Sequence, residues 1–208
     1  MPLATFPLGP LQTNSYLLHG AAQAVAVDVG GDPAPMLDYL AAHTLRLAAV
    51  CVTHRHFDHM YGVAALVRAT GAPAYVPAAD DCLAQTESGR GGIWGFPPVE
   101  DFAAQAMPLG AAVFGGMACE VLSTPGHTPG GVSLHFPAER LVFSGDALFY
   151  RSLGRTDFPG GDHATLLRSI RETLFRLPDE TVVYPGHGPA TSIGDEKRNN
   201  PFCGEFSA

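Results

Sequence analysis

The sequence is poor in positive charge: 12 Lys and Arg stand against 20 Asp and Glu, a formal net charge of −8. Such a balance gives no general attraction for phosphate backbones or anionic lipid, so neither nucleic acid nor a membrane is an expected partner. Cysteine is scarce as well. Cys51, Cys82, Cys119 and Cys203 lie far apart without a CxxC pair. That excludes a zinc ribbon and a disulfide framework, and it fits reduced thiols in a cytoplasmic protein. No apolar run is long enough to span a bilayer. The N-terminal MPLATFPLGPLQTNSYLL lacks a basic start and an uninterrupted apolar core, so no signal peptide is expected. Internal repeats, low-complexity tracts and interdomain linkers are also missing.

What is present is apolar and finely punctuated. Hydrophobic residues make up 46% and charged residues 15%, which excludes a self-repelling disordered chain. The length, 208 residues, suits one domain with a sizeable core, taken as spanning 1–208. The 24 Gly and 18 Pro are scattered between apolar runs, as in a fold of many short elements joined by tight turns. Strands are expected at Ala4–Leu8, Asn14–His19, Ala24–Val29, Leu47–Thr53 and Ala74–Pro77. Further on they are expected at Ala111–Phe114, Cys119–Ser123, Val132–Phe136, Leu141–Ser144 and Thr181–Tyr184. Helices are expected over Pro33–His43, around Val63–Val67, and over His163–Leu177 with Asp162 as N-cap. Ala78–Met107 carries little pattern. The whole reads as mixed α and β, two β-rich halves each carrying helices.

The chemistry sits where strands end. His54-Arg55-His56-Phe57-Asp58-His59 follows the strand Leu47–Thr53 directly. On an extended chain His54 and His56 project to the same side, and Asp58 and His59 follow as the chain turns. Three imidazoles and a carboxylate in one turn are electrostatically costly without a cation. They also outnumber the three protein ligands of a catalytic zinc, which points to two metals. His127 lies in the rigid turn TPGHTPGG, and His187 in YPGHG after another strand. Asp146, in SGD at a strand end, is placed to bridge two cations. His19, His43, His135 and His163 stand alone and are read as ordinary surface or core residues.

HxHxDH, a distant GH, then GD, then GHG together resemble the metallo-β-lactamase superfamily over nearly the whole chain. The resemblance implies an α+β fold, a four-layer αβ/βα sandwich with the metals at one edge. It assigns His54, His56 and His127 to one metal, Asp58, His59 and His187 to a second, and Asp146 to the bridge. It also gives Asp28, in VAVDVG, a supporting place behind the metal loops. Within the superfamily, TPGHTPGG, SGDALF, GRTDFPGGD, YPGHGP and the closing IGDEKRNNPF look like a short bacterial branch of glyoxalase II-like hydroxyacylglutathione hydrolases.

That likeness implies hydrolysis of a small thioester such as S-lactoylglutathione at two divalent ions, zinc first, iron or manganese as alternatives, with Asp58 orienting the nucleophile. The departures concern substrate. The chain ends before the helical C-terminal domain of full-length glyoxalase II, and Gly188-Pro189 replaces an aromatic residue after the last histidine. Arg155, nine residues after Asp146, is the candidate partner for a substrate carboxylate, followed by Lys197 and Arg198. Gly91–Pro98, with Trp94 and Phe96, is a candidate lid. Three rival readings use the same residues. A persulfide dioxygenase would hold one iron on His54, His127 and Asp146. A lactonase or β-lactamase would act on another acyl bond, and a metal-stabilised binding module would not turn over at all. The sequence specifies no oligomeric state.

Overall fold

The computed structural model describes residues 1–93 and 95–205. The chain divides into two compact units, Met1–Met107 with Val113–Met117, and Pro108–Ala112 with Ala118–Ala208.

The first unit is a six-stranded sheet in sequential order: β1 (Leu3–Leu8), β2 (Thr13–His19), β3 (Gln23–Val27), β4 (Arg46–Cys51), β5 (Ala74–Val76) and β6 (Ala104–Ala106). β1, β2 and β3 pair antiparallel, and β3 to β6 pair parallel. Parallel neighbours need crossovers. These are α1 (Ala34–Ala42), α2 (Val63–Thr70) and a stretch holding the short α3 (Glu87–Arg90). α1 begins with proline in its first turn, where the missing N–H is no loss, and buries Met36 and Leu40. α2 ends at Gly71 in the left-handed conformation and buries Val63, Ala64 and Leu66. Met36, Leu40, Val63 and Leu66 pack in one cluster with Leu17, Ala24, Ala26 and Val50 of the sheet. Because β3 and β4 run parallel with Val27 beside Cys51, Asp28 and Thr53-His54 leave the sheet at the same end. Crevices beyond the carboxyl ends of parallel strands are where open sheets of this kind bind ligands.

The second sheet has the order β14-β13-β10-β9-β8-β7. Its members are β7 (Gly110–Phe114), β8 (Met117–Ser123), β9 (Val132–Phe136), β10 (Leu141–Gly145), β13 (Val182–Pro185) and β14 (Thr191–Ser192). A small hairpin, β11 (Leu148–Phe149) and β12 (Ser152–Leu153), stands outside it, with helices α4 (His163–Glu172) and α5 (Ile193–Asn199). Asp162 caps α4 by accepting the Thr165 N–H at 2.7 Å, and the helix buries Leu166 and Ile170. β10 and β13 are parallel neighbours with Gly145 beside Pro185, so Asp146 and His187 also emerge at one end.

The α+β class and the two major sheets are those expected. α4 stops at Glu172, short of the expected Leu177, because Thr173 departs from helical angles and the chain tightens into a 3₁₀ turn before Pro178. The sequence pattern missed β6, α3, the β11–β12 hairpin, β14 and α5. In α5 the segment IGDEKRN offers one large apolar side chain, so no helical stripe is visible; Ser192 caps it by accepting the Asp195 N–H. Among the described residues no helix is long and apolar enough to cross a membrane.

Candidate metal centre

In the first unit a single carboxylate organises the donors. Asp28 is 1% exposed and sits at φ 53°, a conformation that Asp tolerates better than most residues. Its Oδ1 accepts the Thr53 N–H at 2.8 Å, and its Oδ2 accepts both the Thr53 hydroxyl and His59 Nδ1–H, each at 2.8 Å. With its proton on Asp28, the Thr53 oxygen is an acceptor and takes His54 Nδ1–H at 3.0 Å. One buried aspartate thereby sets the tautomer of two histidines, one directly and one through a threonine. The rings of His54 and His56 lie 4.8 Å apart, and those of His54 and His59 4.1 Å. A ligand atom of His54 is within 4.8 Å of one on His56 and one on His59, and Asp58 and His59 are related likewise. Asp58 Oδ2 accepts the Thr13 hydroxyl at 3.1 Å and stands 3.7 Å from His59 Nε2. Between the two histidines, the Arg55 N–H donates to the fully buried Asp80 at 2.9 Å and the guanidinium to Asp81 at 2.8 Å.

The second unit repeats the design. His127 Nδ1–H donates to the Arg155 carbonyl at 2.7 Å, so the Nε2 of the neutral ring bears its lone pair. That Nε2 stands 3.6 Å from Asp146 Oδ2, and His187 Nε2 stands 3.7 Å from the same oxygen. Gly154 packs so closely that a Cβ there would lie 1.9 Å from the Asp146 carbonyl oxygen and 3.1 Å from His127 Nδ1. Phe149 meets the His187 ring edge-to-face at 6.3 Å.

These donors fit divalent cations. For His59 and His127 the outer nitrogen is held as a donor, so a lone pair faces a carboxylate oxygen, acceptor against acceptor. At 3.6–3.7 Å the pairs are too long for a direct hydrogen bond. Two ligand atoms each about 2.1 Å from one tetrahedral zinc would stand roughly 3.4 Å apart, close to these spacings. Imidazoles backed by carboxylates and carbonyls are the usual outer shell of such ions.

The other expected site residues are differently placed. The Arg155 guanidinium forks onto Asp157 at 2.7 and 2.6 Å, pulls that carboxyl down to about 2, and stacks 3.9 Å over Phe158. Its contact with the donors is through the main chain. Lys197 Nζ meets Asp179 at 2.6 Å, and Arg198 approaches the same carboxylate at 3.8 Å. Trp94 lies outside the described residues. In the Gly91–Pro98 segment, Gly91 and Pro98 form an antiparallel bridge, and Phe96 packs 5.8 Å from Phe57. Phe57 in turn touches Tyr61, whose phenol is pushed up to about 12 by burial and by the charge of Asp58. Sequence reasoning missed Thr13, Thr53 and Asp80. Thr13 and Asp80 join partners 45 and 25 residues away, which leaves no local pattern. Thr53 adjoins His54 and was visible only as the last residue of a strand.

The family model of the metallo-beta-lactamase superfamily matches residues 8–187. The chain is 38% identical over 207 residues to the "Probable metallo-hydrolase YqgX" of Bacillus subtilis, covering 97% of each. It is 30% identical to the "Hydroxyacylglutathione hydrolase GloC" of Haemophilus influenzae over 100% of both chains. Among solved structures it resembles the BLEG-1 B3 metallo-beta-lactamase, with 37% identity, TM-score 0.91, and coverage of 97% of this chain and 99% of that one. It also resembles TTHA1623 in a di-iron-bound form, with 40% identity, TM-score 0.87, and coverage of 96% and 99%.

Proposed function

We propose that this chain, which belongs to the metallo-β-lactamase superfamily, is a binuclear metallohydrolase acting on small thioesters of the S-lactoylglutathione type. It has the superfamily's fold, two major sheets in a mixed α+β chain, and it is a metallo-hydrolase of that group. In this reading His54, His56 and His127 hold one cation, Asp58, His59 and His187 hold the other, and Asp146 serves both. Bound there, the cations would lower the pKa of a coordinated water toward neutrality and polarise the thioester carbonyl.

The chain's own residues do the rest. Asp28 and the Arg155 carbonyl hold three imidazoles with Nε2 as the metal-facing nitrogen: His59 directly, His54 through Thr53, and His127. Thr13 donates to one oxygen of Asp58, which orients the carboxylate toward the attacking water. A thiol leaving group, with a pKa of about 8.5, departs without a strong general acid, and none is needed from the protein.

The observation that carries the thioester reading is the alignment with the hydroxyacylglutathione hydrolase over the full length of both chains. The complete set of seven donors supports two ions over one. Iron stands beside zinc as a candidate, because a relative 40% identical is known in a di-iron form. The test is metal content by plasma mass spectrometry, with S-lactoylglutathione hydrolysis on the same sample. Near two metals per chain with hydrolysis abolished by chelation supports the reading. One iron per chain with sulfite formed from glutathione persulfide replaces it by a dioxygenase, and lactam turnover without thioester turnover by a β-lactamase.

A further inference from the structure

We propose that Glu196, in the closing IGDEKRNNPF segment, is a positioning residue for His127, Asp146 and His187, acting through the β11–β12 hairpin. This rests on the reading of those three as metal ligands.

The hairpin follows Asp146 directly and touches the donors of its unit. Phe149 of β11 lies on His187. Beyond β12, Gly154 abuts Asp146 and His127, and the Arg155 carbonyl takes His127 Nδ1–H. The placing of the three ligands therefore depends on the shape of this hairpin.

That shape is not intrinsically stable. Phe149 pairs with Ser152, which leaves Tyr150-Arg151 as a two-residue turn. Arg151 sits at φ 54°, a position that glycine or asparagine fills without strain and arginine does not. The turn is held from outside by Glu196, which is fully buried. Its Oε2 accepts the Arg151 N–H at 3.0 Å and Asn200 Nδ2 at 2.8 Å. Its Oε1 accepts Arg151 Nη1 at 3.1 Å and the Thr191 hydroxyl at 2.7 Å. One carboxylate thus grips both the backbone and the side chain of the strained residue. Asn200 Nδ2 also reaches the Ser152 carbonyl at 3.1 Å, and Asp195 takes a second arm of the guanidinium at 3.0 Å. All four donors to Glu196 need an acceptor, so an amide there would set N–H against N–H.

The experiment compares Glu196→Gln, Arg151→Ala, Arg151→Gly and the Glu196→Gln/Arg151→Gly double variant in the full-length protein. Zn²⁺ affinity is measured by competition with a chromophoric chelator. Glu196→Gln and Arg151→Ala are expected to lose roughly tenfold or more, the range for supports behind a ligand. Arg151→Gly, which makes the turn unaided, stays within about threefold of the parent, and the double variant recovers most of the loss.

Parent-like affinity in Glu196→Gln and Arg151→Ala overturns the proposal, as does an Arg151→Gly loss as large as that of Arg151→Ala. Should Glu196→Gln not fold, the alanine and glycine variants at 151 decide alone. ¹⁵N-histidine NMR on the protein as isolated follows the His127 Nδ1 proton without reference to metal. Its faster exchange in Arg151→Ala than in Arg151→Gly supports the proposal, and equal protection refutes it. A parent protein that binds no metal sinks the metallohydrolase reading, while the NMR comparison still decides the hairpin.

Discussion

Asp28→Asn tests the logic of the site with almost no change of shape. Asparagine tolerates the positive φ of this position about as well as aspartate, so the backbone at the end of β3 is not strained by the change. What changes is one oxygen into an amide donor. In the parent, the two Asp28 oxygens accept from Thr53 N–H, the Thr53 hydroxyl and His59 Nδ1–H. An amide keeps one acceptor for the Thr53 N–H and points its NH₂ at His59 Nδ1 and the Thr53 oxygen. His59 answers by moving its proton to Nε2, the nitrogen facing Asp58, and in the proposed reading the ring can no longer serve as a ligand. The Thr53 hydroxyl, now receiving the amide N–H, loses the acceptor that fixed its own proton, so it can turn that proton to His54 Nδ1 and no longer holds His54 in one tautomer. Losing one such support costs 10–100-fold in metal affinity, about 1.4–2.8 kcal/mol. Two ligands are affected here, so the upper end of that range is expected. Chelator competition measures it, with Thr53→Val as a milder control that removes only the His54 arm. Asp28→Asn binding two metals at parent affinity would refute the tautomer argument.

Further outcomes follow from the same structure. Cys82 is exposed while Cys51, Cys119 and Cys203 are buried, and burial pushes Cys119 and Cys203 up to about 12. Titration with Ellman's reagent at pH 8 should find one fast thiol in the folded protein and four after denaturation; two fast thiols would contradict the packing. Burial lowers the pKa of His135 below its ordinary 6.5 against the opposing pull of Glu120. Below about 6.5 the unfolded chain then binds a proton that the folded chain refuses, so stability falls with pH until the folded value is passed. Urea midpoints at pH 5.5 and 7.5 should differ more for the parent than for His135→Gln, and equal differences would exclude this source. Arg155→Ala keeps the carbonyl that holds His127, so metal content is expected to stay unchanged. A raised KM with kcat retained would mark the guanidinium as a substrate contact despite its fork on Asp157, and an unchanged KM would end that role.

Much was legible in the chain because the information is local. HRHFDH points to metal binding through ligand density alone, since four ligand-type side chains crowd one short segment. The compact apolar run Leu47–Thr53, the β-forming run Val132–Phe136 and the Asp162 cap give elements that reappear within a few residues. Periodicity failed at α5, where Glu196, a charged residue, takes a fully buried position that a hydrophobic pattern cannot announce. It failed likewise at Asp80, a buried carboxylate that accepts a backbone N–H 25 residues away.

The sequence by itself determined the donors, their grouping after strand ends, and the division into many short α and β elements, because these follow from neighbours along the chain. Only the tertiary structure decided which nitrogen of His59 and of His127 faces a carboxylate. Parallel pairing of β3 with β4 brings Asp28 to Thr53 and His59, and the β11–β12 hairpin brings Gly154 and Arg155 to His127. Tautomer and orientation are properties of contacts between distant segments, and such contacts exist only once the strands have found their register.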